Sequence, residues 1–263
     1  MICKALAYFK SPPLWGLFLS LMLFSEQGKA QSATPFFDGE YLAYELVYQW
    51  GPIWVNAGMA TFTARDTIVE GKNYWHFRGY GRSYDHWDWF YEVRSGYESF
   101  ADQDLRSLRF MRKGQEGSTI YDRDYHVKQD TIYFSIKDDK EQARFGKLER
   151  REEALDVVTA IYNCRNIPFE NYQENDSIPL VFYLDGNYYD SYLRYRGVQT
   201  WEHPKTEKTH ECLVFTPNLI EGTIFKEGEK MTVYVSNDDR RIPIYIETEL
   251  RVGKARIFLL SNN

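Results

Sequence analysis

Apolar and polar side chains alternate with a period of two along most of this chain, and that period belongs to strands whose two faces meet different surroundings. In residues 41–50, Leu42, Tyr44, Leu46, Tyr48 and Trp50 share one face. In residues 241–252, Ile242, Ile244, Ile246, Leu250 and Val252 alternate with Arg241, Tyr245, Glu247, Glu249 and Arg251. The same pattern marks 55–65, 73–83, 87–100, 118–127, 131–137, 180–184, 188–198, 210–215, 231–236 and 254–260 as strands. Turn-forming residues separate them, among them Glu70-Gly71-Lys72-Asn73, Asp185-Gly186-Asn187 and Asn237-Asp238-Asp239. Connections this short join antiparallel neighbours, since parallel strands need long crossovers.

One segment has another rhythm. Between 151 and 165, Leu155, Val158, Ile161 and Tyr162 recur at helical spacing, Glu152, Glu153 and Asp156 are gathered near the start, and Pro168 follows the end. The expected fold is therefore mainly β: an antiparallel closed or nearly closed barrel, or alternatively two packed antiparallel sheets, with one amphipathic helix near 151–165 that plugs or covers an opening. A dozen strands in one open sheet would leave exposed edges, which is why closure or layering is expected.

The first thirty residues have a different logic. Lys4 and Lys10 precede the apolar run 14–24, and Gly28 and Ala30 are small residues at the spacing of a signal-peptidase cut after Ala30. The expectation is a signal peptide over 1–30, export to the periplasm or cell envelope, and a single β-rich domain over 31–263. The apolar run stops well short of the roughly twenty residues that span a bilayer, so no transmembrane span is expected in the mature chain. Charged residues on both faces of several strands, such as Arg78 and Arg82 or Asp122, Arg123 and Asp124, argue against a membrane barrel.

A formal net charge of −6 with both signs interspersed leaves no basic stripe for a phosphate backbone, so nucleic acid is not an expected partner. Cys164 and Cys212 follow the apolar leader; in an oxidising compartment a disulfide between them is one reading, and two small buried side chains the other. The five histidines form no metal-ligand spacing, Gly79-Tyr80-Gly81 opens no helix, and no Gly-x-Ser-x-Gly elbow occurs. Neither metal nor cofactor is expected.

Two groups are candidates for recognition. Alternation over 84–92 puts Asp85, Trp87, Trp89 and Tyr91 on one face and His86, Asp88, Phe90 and Glu92 on the other. Rings beside carboxylates suit sugar stacking, and two of Asp85, Asp88 and Glu92 at the right separation would supply the acid and base of glycoside hydrolysis. The plainer alternative is a strand whose rings fill the interior. The second group sets Tyr74, His76, Arg78, Tyr80 and Arg82 opposite Trp75, Phe77, Gly79 and Gly81. Arg78 and Arg82 present planar donor forks for an anionic or amphipathic ligand, while Trp75 and Phe77 offer stacking surface.

Three segments in order resemble the exported bacterial proteins grouped as domain of unknown function 3108. They are Leu42-Ala43-Tyr44-Glu45-Leu46-Val47-Tyr48-Gln49-Trp50-Gly51 with Asn56-Ala57-Gly58, then Leu155-Asp156-Val157-Val158-Thr159-Ala160-Ile161-Tyr162 with Arg165, then Val233-Tyr234-Val235-Ser236-Asn237-Asp238-Asp239-Arg240-Arg241-Ile242-Pro243. Tyr234 stands where tryptophan is looked for, and Asn237 alters the Ser-Asp-Asp turn. The resemblance implies export and a β-rich envelope domain and carries over no catalytic residue. The leading functional expectation is a non-enzymatic barrel binding an amphipathic (lipid-like) or glycan ligand through Trp75, Phe77, Arg78, Arg82, Trp87, Trp89 and Tyr91. The alternatives are a glycan-active hydrolase and a structural or assembly protein with a filled interior.

Overall fold

Most of the alternating stretches are extended along their length, and short turns fold many of them back on their predecessors. The computed structural model describes residues 34–204, 206–219, 228, 230–250 and 253–263. The expected signal peptide and the last two positions of the 241–252 stretch lie outside the described residues. In chain order the strands are β1 Glu40–Trp50, β2 Ile53–Val69, β3 Lys72–Ser83, β4 Val93–Ala101, β5 Ser107–Glu116, β6 Thr119–Lys128, β7 Thr131–Asp138, β8 Glu141–Glu149, β9 Ala154–Leu155, β10 Ser177–Leu184, β11 Asn187–Glu202, β12 Thr209–Pro217, β13 Met231–Ser236, β14 Pro243–Glu249 and β15 Lys254–Asn262. Helix α1 is a single turn, Asp88–Tyr91, and α2 is Val157–Cys164. The turn chemistry is as expected for hairpins: Glu70 and Gly71 both take positive φ (52° and 76°), as do Asp185 and Gly186 (48° and 79°), the twist that two-residue hairpin loops require.

All fifteen strands belong to one sheet, ordered β8-β7-β6-β5-β4-β3-β2-β1-β15-β14-β13-β12-β11-β10-β9. Every described pair is antiparallel except β9 with β10. The first and last strands pair at the centre, with Leu46 opposite Ile257, so β8 and β9, consecutive in sequence, become the two edges. Hydrogen bonds do not join these edges. Instead, the β9–β10 end packs by side chains over the face of β5–β7. Val181 and the fully buried Tyr183 join Phe110, Tyr125 and Ile132, and the Tyr125 and Tyr183 rings lie 5.4 Å apart. At the β10–β11 turn, Gly186 N donates to the Tyr125 hydroxyl at 3.0 Å and Arg123 Nε to Asp185 at 3.1 Å.

The predicted helix is real but shorter than 151–165. Ala154 and Leu155 are taken by β9, and Asp156 ends that strand as the N-cap, its Oδ1 accepting from Val158 N and Thr159 N at 2.9 Å each. Its Oδ2 accepts from Ser99 Oγ at 2.6 Å and Thr159 Oγ1 at 2.8 Å, which ties the start of α2 to β4. The other end is tied to β1: Arg165 Nη1 and Nη2 donate to Glu40 at 2.7 and 2.9 Å, and Arg240 Nη2 reaches the same carboxylate at 3.1 Å. Glu40 is wholly buried, so this charge cluster locks together the start of β1, the end of α2 and the β13–β14 turn.

The stretch expected as a strand over 87–100 is extended only from Val93. Residues 85–91 form a 3-10 turn and then α1, because Ser83 Oγ and Arg94 both bind the Asp88 carboxylate and fold the loop over the end of β3. Strands β5, β8 and β9 had no counterpart in the alternation reading. The expected disulfide option is also corrected: Cys164 and Cys212 are both free thiols. Cys164 lines the interior at the end of α2, whereas Cys212 alternates with the inward Leu213 and Phe215 and so faces the convex side, with the sheet between the two sulfurs.

Candidate functional site

One half of the concave side is solidly packed. Phe36, Trp75, Phe77, Phe110, Tyr125, Tyr162 and Tyr183 form a continuous aromatic core, with the Phe77 and Tyr162 rings stacked 4.0 Å apart. Val158 and Tyr162 seat one side of α2 on it. The other half is not filled. Between the remaining side of α2 and the inner faces of β1, β2 and β10–β15 lies a cavity of about 510 Å³.

Its wall is the product of the alternation itself. Leu42, Tyr44 and Leu46 of β1, Val233 and Val235 of β13, Ile246 of β14 and Ile257 of β15 point the same way because paired strands share a pleat: Leu46 is opposite Ile257, and Ile257 opposite Ile246, itself opposite Val233. Ala160, Ile161 and Cys164 of α2 complete it. Exposure along the wall is graded. Leu42, Tyr44, Phe215 and Val235 are buried, while Leu46, Pro217, Leu219, Met231 and Val233 are only partly so. The opening therefore faces the rim at which β1 and β12 end and β13 and β15 begin, and the floor lies at the opposite rim.

The only cations on this wall, among the described residues, are Arg165 and Arg241. Both are occupied. Arg165 is held by Glu40 and by the carbonyls of Pro35 and Arg240 at 2.7 and 2.9 Å, and Arg241 Nη1 donates to the carbonyls of Arg165 and Ile167 while its guanidinium lies over the Phe169 ring. The Tyr162 hydroxyl is buried with no hydrogen-bond partner in the protein. Burial pushes the Tyr44 hydroxyl well above the ordinary phenol range and the Cys164 thiol up to about 12, so neither is ionised at neutral pH. The cavity is thus an apolar container with its two cations held by protein partners, and its depth, four residues of strand from Leu42 to Leu46, is about 13 Å.

The residues singled out from the sequence are not in it. Trp75 and Phe77 belong to the packed core, where their rings stack 6.0 Å apart and are not free to meet a ligand. Arg78 pairs with Glu98 at 3.1 Å on the convex side, and Arg82 with Asp85 at 3.3 Å at the end of β3. Trp87 donates its Nε1 proton to Asn56 O at 2.9 Å, while Trp89 and Tyr91 are exposed on α1. The three acids do come together, but around Arg94. Asp85 and Asp88 both bind its guanidinium, and Glu92 accepts from Gln115 Nε2 at 2.9 Å. The Arg94 hydrogen bond holds the Asp88 carboxyl below its usual range, the opposite direction from that of a general acid. Among the described residues no three His, Cys, Asp or Glu side chains are grouped to hold a metal. What sequence reasoning missed is the cavity. Its lining residues were visible as alternating apolar positions, but alternation does not say which half of an interior is filled.

Comparison with solved structures fits this architecture. A crystal structure of a β-barrel-like protein of domain of unknown function DUF1849 from Brucella abortus matches with a TM-score of 0.55 at 9% identity, covering 86% of this chain and 98% of that one. At that identity the likeness concerns the fold. No match was found among functionally curated proteins. The model of the family described as protein of unknown function DUF3108 matches residues 43–260, most of the chain, and the protein therefore belongs to the DUF3108 family.

Proposed function

We propose that this protein is an exported cell-envelope carrier, without catalytic activity of its own, that holds the apolar part of an amphipathic, lipid-like molecule inside a nearly closed barrel. The observation that carries this reading is the cavity of about 510 Å³ walled almost entirely by aliphatic and aromatic side chains, which matches the size and lining of small-molecule sites. The seam is an overlap of the β9–β10 end on β5–β7, held by side-chain packing and by the Gly186–Tyr125 and Arg123–Asp185 contacts instead of a strand ladder. Arg165 and Arg241 already donate hydrogen bonds to protein partners, and the wall above them is apolar, which suits a tail better than a head group. A bound chain enters tail first and leaves its polar end at the open rim. Export follows from the leader over 1–30, and an envelope location supplies both lipid and a need to move it through water.

The experiment is uptake of a fluorescent fatty acid by the purified chain, compared with Ala60→Trp. Ala60 lines the wall and is half-buried, so an indole there takes up cavity space at a stability cost of about 1–3 kcal/mol, which a melting curve checks. Saturable binding by the native protein and at least a tenfold weaker affinity in the variant are expected. Uptake that is absent, or equal in both, removes the reading.

A further inference from the structure

The rim onto which the cavity opens also carries the two most exposed aromatic side chains of the described residues, Trp89 and Phe90. At the β1–β2 turn, Trp50, Ile53 and Trp54 are 61%, 53% and 50% exposed, and on α1, Trp89 and Phe90 are 79% and 77% exposed. In an antiparallel meander the connections alternate between rims, so the β1–β2, β3–β4 and β14–β15 connections share one. The hydrogen bond from Trp87 to Asn56, three residues from Ile53, fixes α1 beside the β1–β2 hairpin. These side chains are held up by the structure beneath them. The Tyr91 ring packs where Gly117 has no Cβ, since one built there would stand 2.8 Å from it, and Arg256 lies 4.2 Å over the Trp54 ring.

We infer that this rim is a membrane-docking surface: Trp50, Ile53, Trp54, Trp89 and Phe90 insert at the headgroup level of a lipid bilayer and bring the cavity mouth to it. Two observations favour a bilayer over a protein partner. The exposed side chains project from two separate turns, whereas a protein interface needs a continuous complementary face of roughly 800 Å² on each side. They are also mainly tryptophan, whose apolar body and single N–H suit the membrane interface. Charge around them is balanced: Arg82 and Arg94 are matched by Asp85 and Asp88, and Arg256 and Lys254 by Glu247 and by Glu249, which lies opposite Lys254. Insertion, not attraction to anionic lipid, therefore supplies the affinity, and zwitterionic membranes serve. The orientation of the mouth rests on the carrier reading; the docking itself does not.

The test is flotation of the protein with phosphatidylcholine vesicles and with vesicles of equal parts phosphatidylcholine and phosphatidylglycerol. The native chain is expected to float with both to a similar extent. Trp89→Ser/Phe90→Ser and Trp50→Ser/Ile53→Ser are each expected to lower the partition coefficient about tenfold or more, since an apolar side chain moved out of water contributes about 1.5–3 kcal/mol. Ile68→Ser, equally exposed but on the β2–β3 rim, should change nothing. Melting curves check that each variant folds. A native chain that stays at the bottom of the gradient overturns the inference. So do rim variants that float like the native chain, a requirement for phosphatidylglycerol, or a self-associated form in sedimentation velocity that the rim substitutions dissolve, which would make a second copy the partner. Fatty-acid uptake is measured in the same variants, so loss of vesicle binding with retained uptake separates this inference from the carrier reading.

Discussion

Removing the Glu40 carboxylate should be among the most damaging single changes in this protein. Its side chain is fully buried, as is nearly all of Arg165, and the two share a bidentate contact at 2.7 and 2.9 Å, with Arg240 at 3.1 Å. Glu40→Ala leaves the Arg165 guanidinium in a site closed to water. Breaking such a buried pair costs about 3–5 kcal/mol; the carbonyls of Pro35 and Arg240 remain as acceptors and put the expected loss near the lower end, about 3 kcal/mol. For a chain of this size that corresponds to a melting temperature lowered by roughly 10 °C. Urea titration followed by tryptophan fluorescence should show the midpoint falling with the slope unchanged, since the surface exposed on unfolding is the same. The double variant Glu40→Leu/Arg165→Met removes both charges and should recover most of the loss, giving a coupling of 2 kcal/mol or more in the cycle. A Glu40→Ala cost below about 1 kcal/mol, or strictly additive single changes, would mean that the pair is hydrated and that the floor of the cavity is open to water.

Two further outcomes follow from the packing around α2. Asp156→Ala removes a helix cap and strands the Ser99 and Thr159 hydroxyls and two backbone N–H groups in a buried site, so it should cost about 3–4 kcal/mol in the same titration; a loss under 1 kcal/mol would refute the assigned cap. Burial pushes the Cys164 thiol from 9.0 to about 12 and Cys212 to about 11. Both should resist alkylation at pH 8 in the native protein, react fully in denaturant, and give the same electrophoretic mobility with and without reductant. Because the unfolded chain loses these protons near pH 9 and the native chain only at higher pH, stability should fall from pH 9 upward toward 12. Rapid native-state alkylation of Cys164 would show its thiol to be free of that burial.

The strand pattern was legible because period two reports a strand with unlike faces, and twelve such stretches became strands with shifted ends. The strands that escaped it are those where the two faces are not unlike. On β5, inward positions hold Arg112, set between Tyr97 and Tyr121, and Gly114. On β8, an edge strand, most residues are exposed and neither side is apolar. The helix was legible by its spacing but overextended, because Ala154 and Leu155 find hydrogen bonds on β10 that end the coil before Asp156 can cap it. The aromatic run 84–92 misled for a simpler reason. Rings attract attention as core or ligand platforms, and here the Asp88–Arg94–Ser83 contacts lift them out on a helical turn. No local pattern distinguishes Leu46, which lines an unfilled space, from Phe77, which fills a packed one. That difference is set by where α2 comes to rest among strands distant in sequence.

The unfilled half bears on the carrier role proposed for this chain. Left without an occupant, a cavity of about 510 Å³ that opens at the rim keeps an aliphatic and aromatic wall against water, so that surface adds nothing to the stability of the fold. The same chain packs Phe36, Phe77, Phe110, Tyr125 and Tyr183 tightly a few residues away, so it does not lack large side chains with which to close the space. Yet it places Ala60, Ala160 and Cys164 on the wall. Small residues where large ones would stabilise are what the proposed carrier role requires, in which an occupant supplies the missing packing. Binding should therefore stabilise the fold in proportion to ligand concentration, and a melting temperature unmoved by saturating fatty acid would remove this account of the small residues.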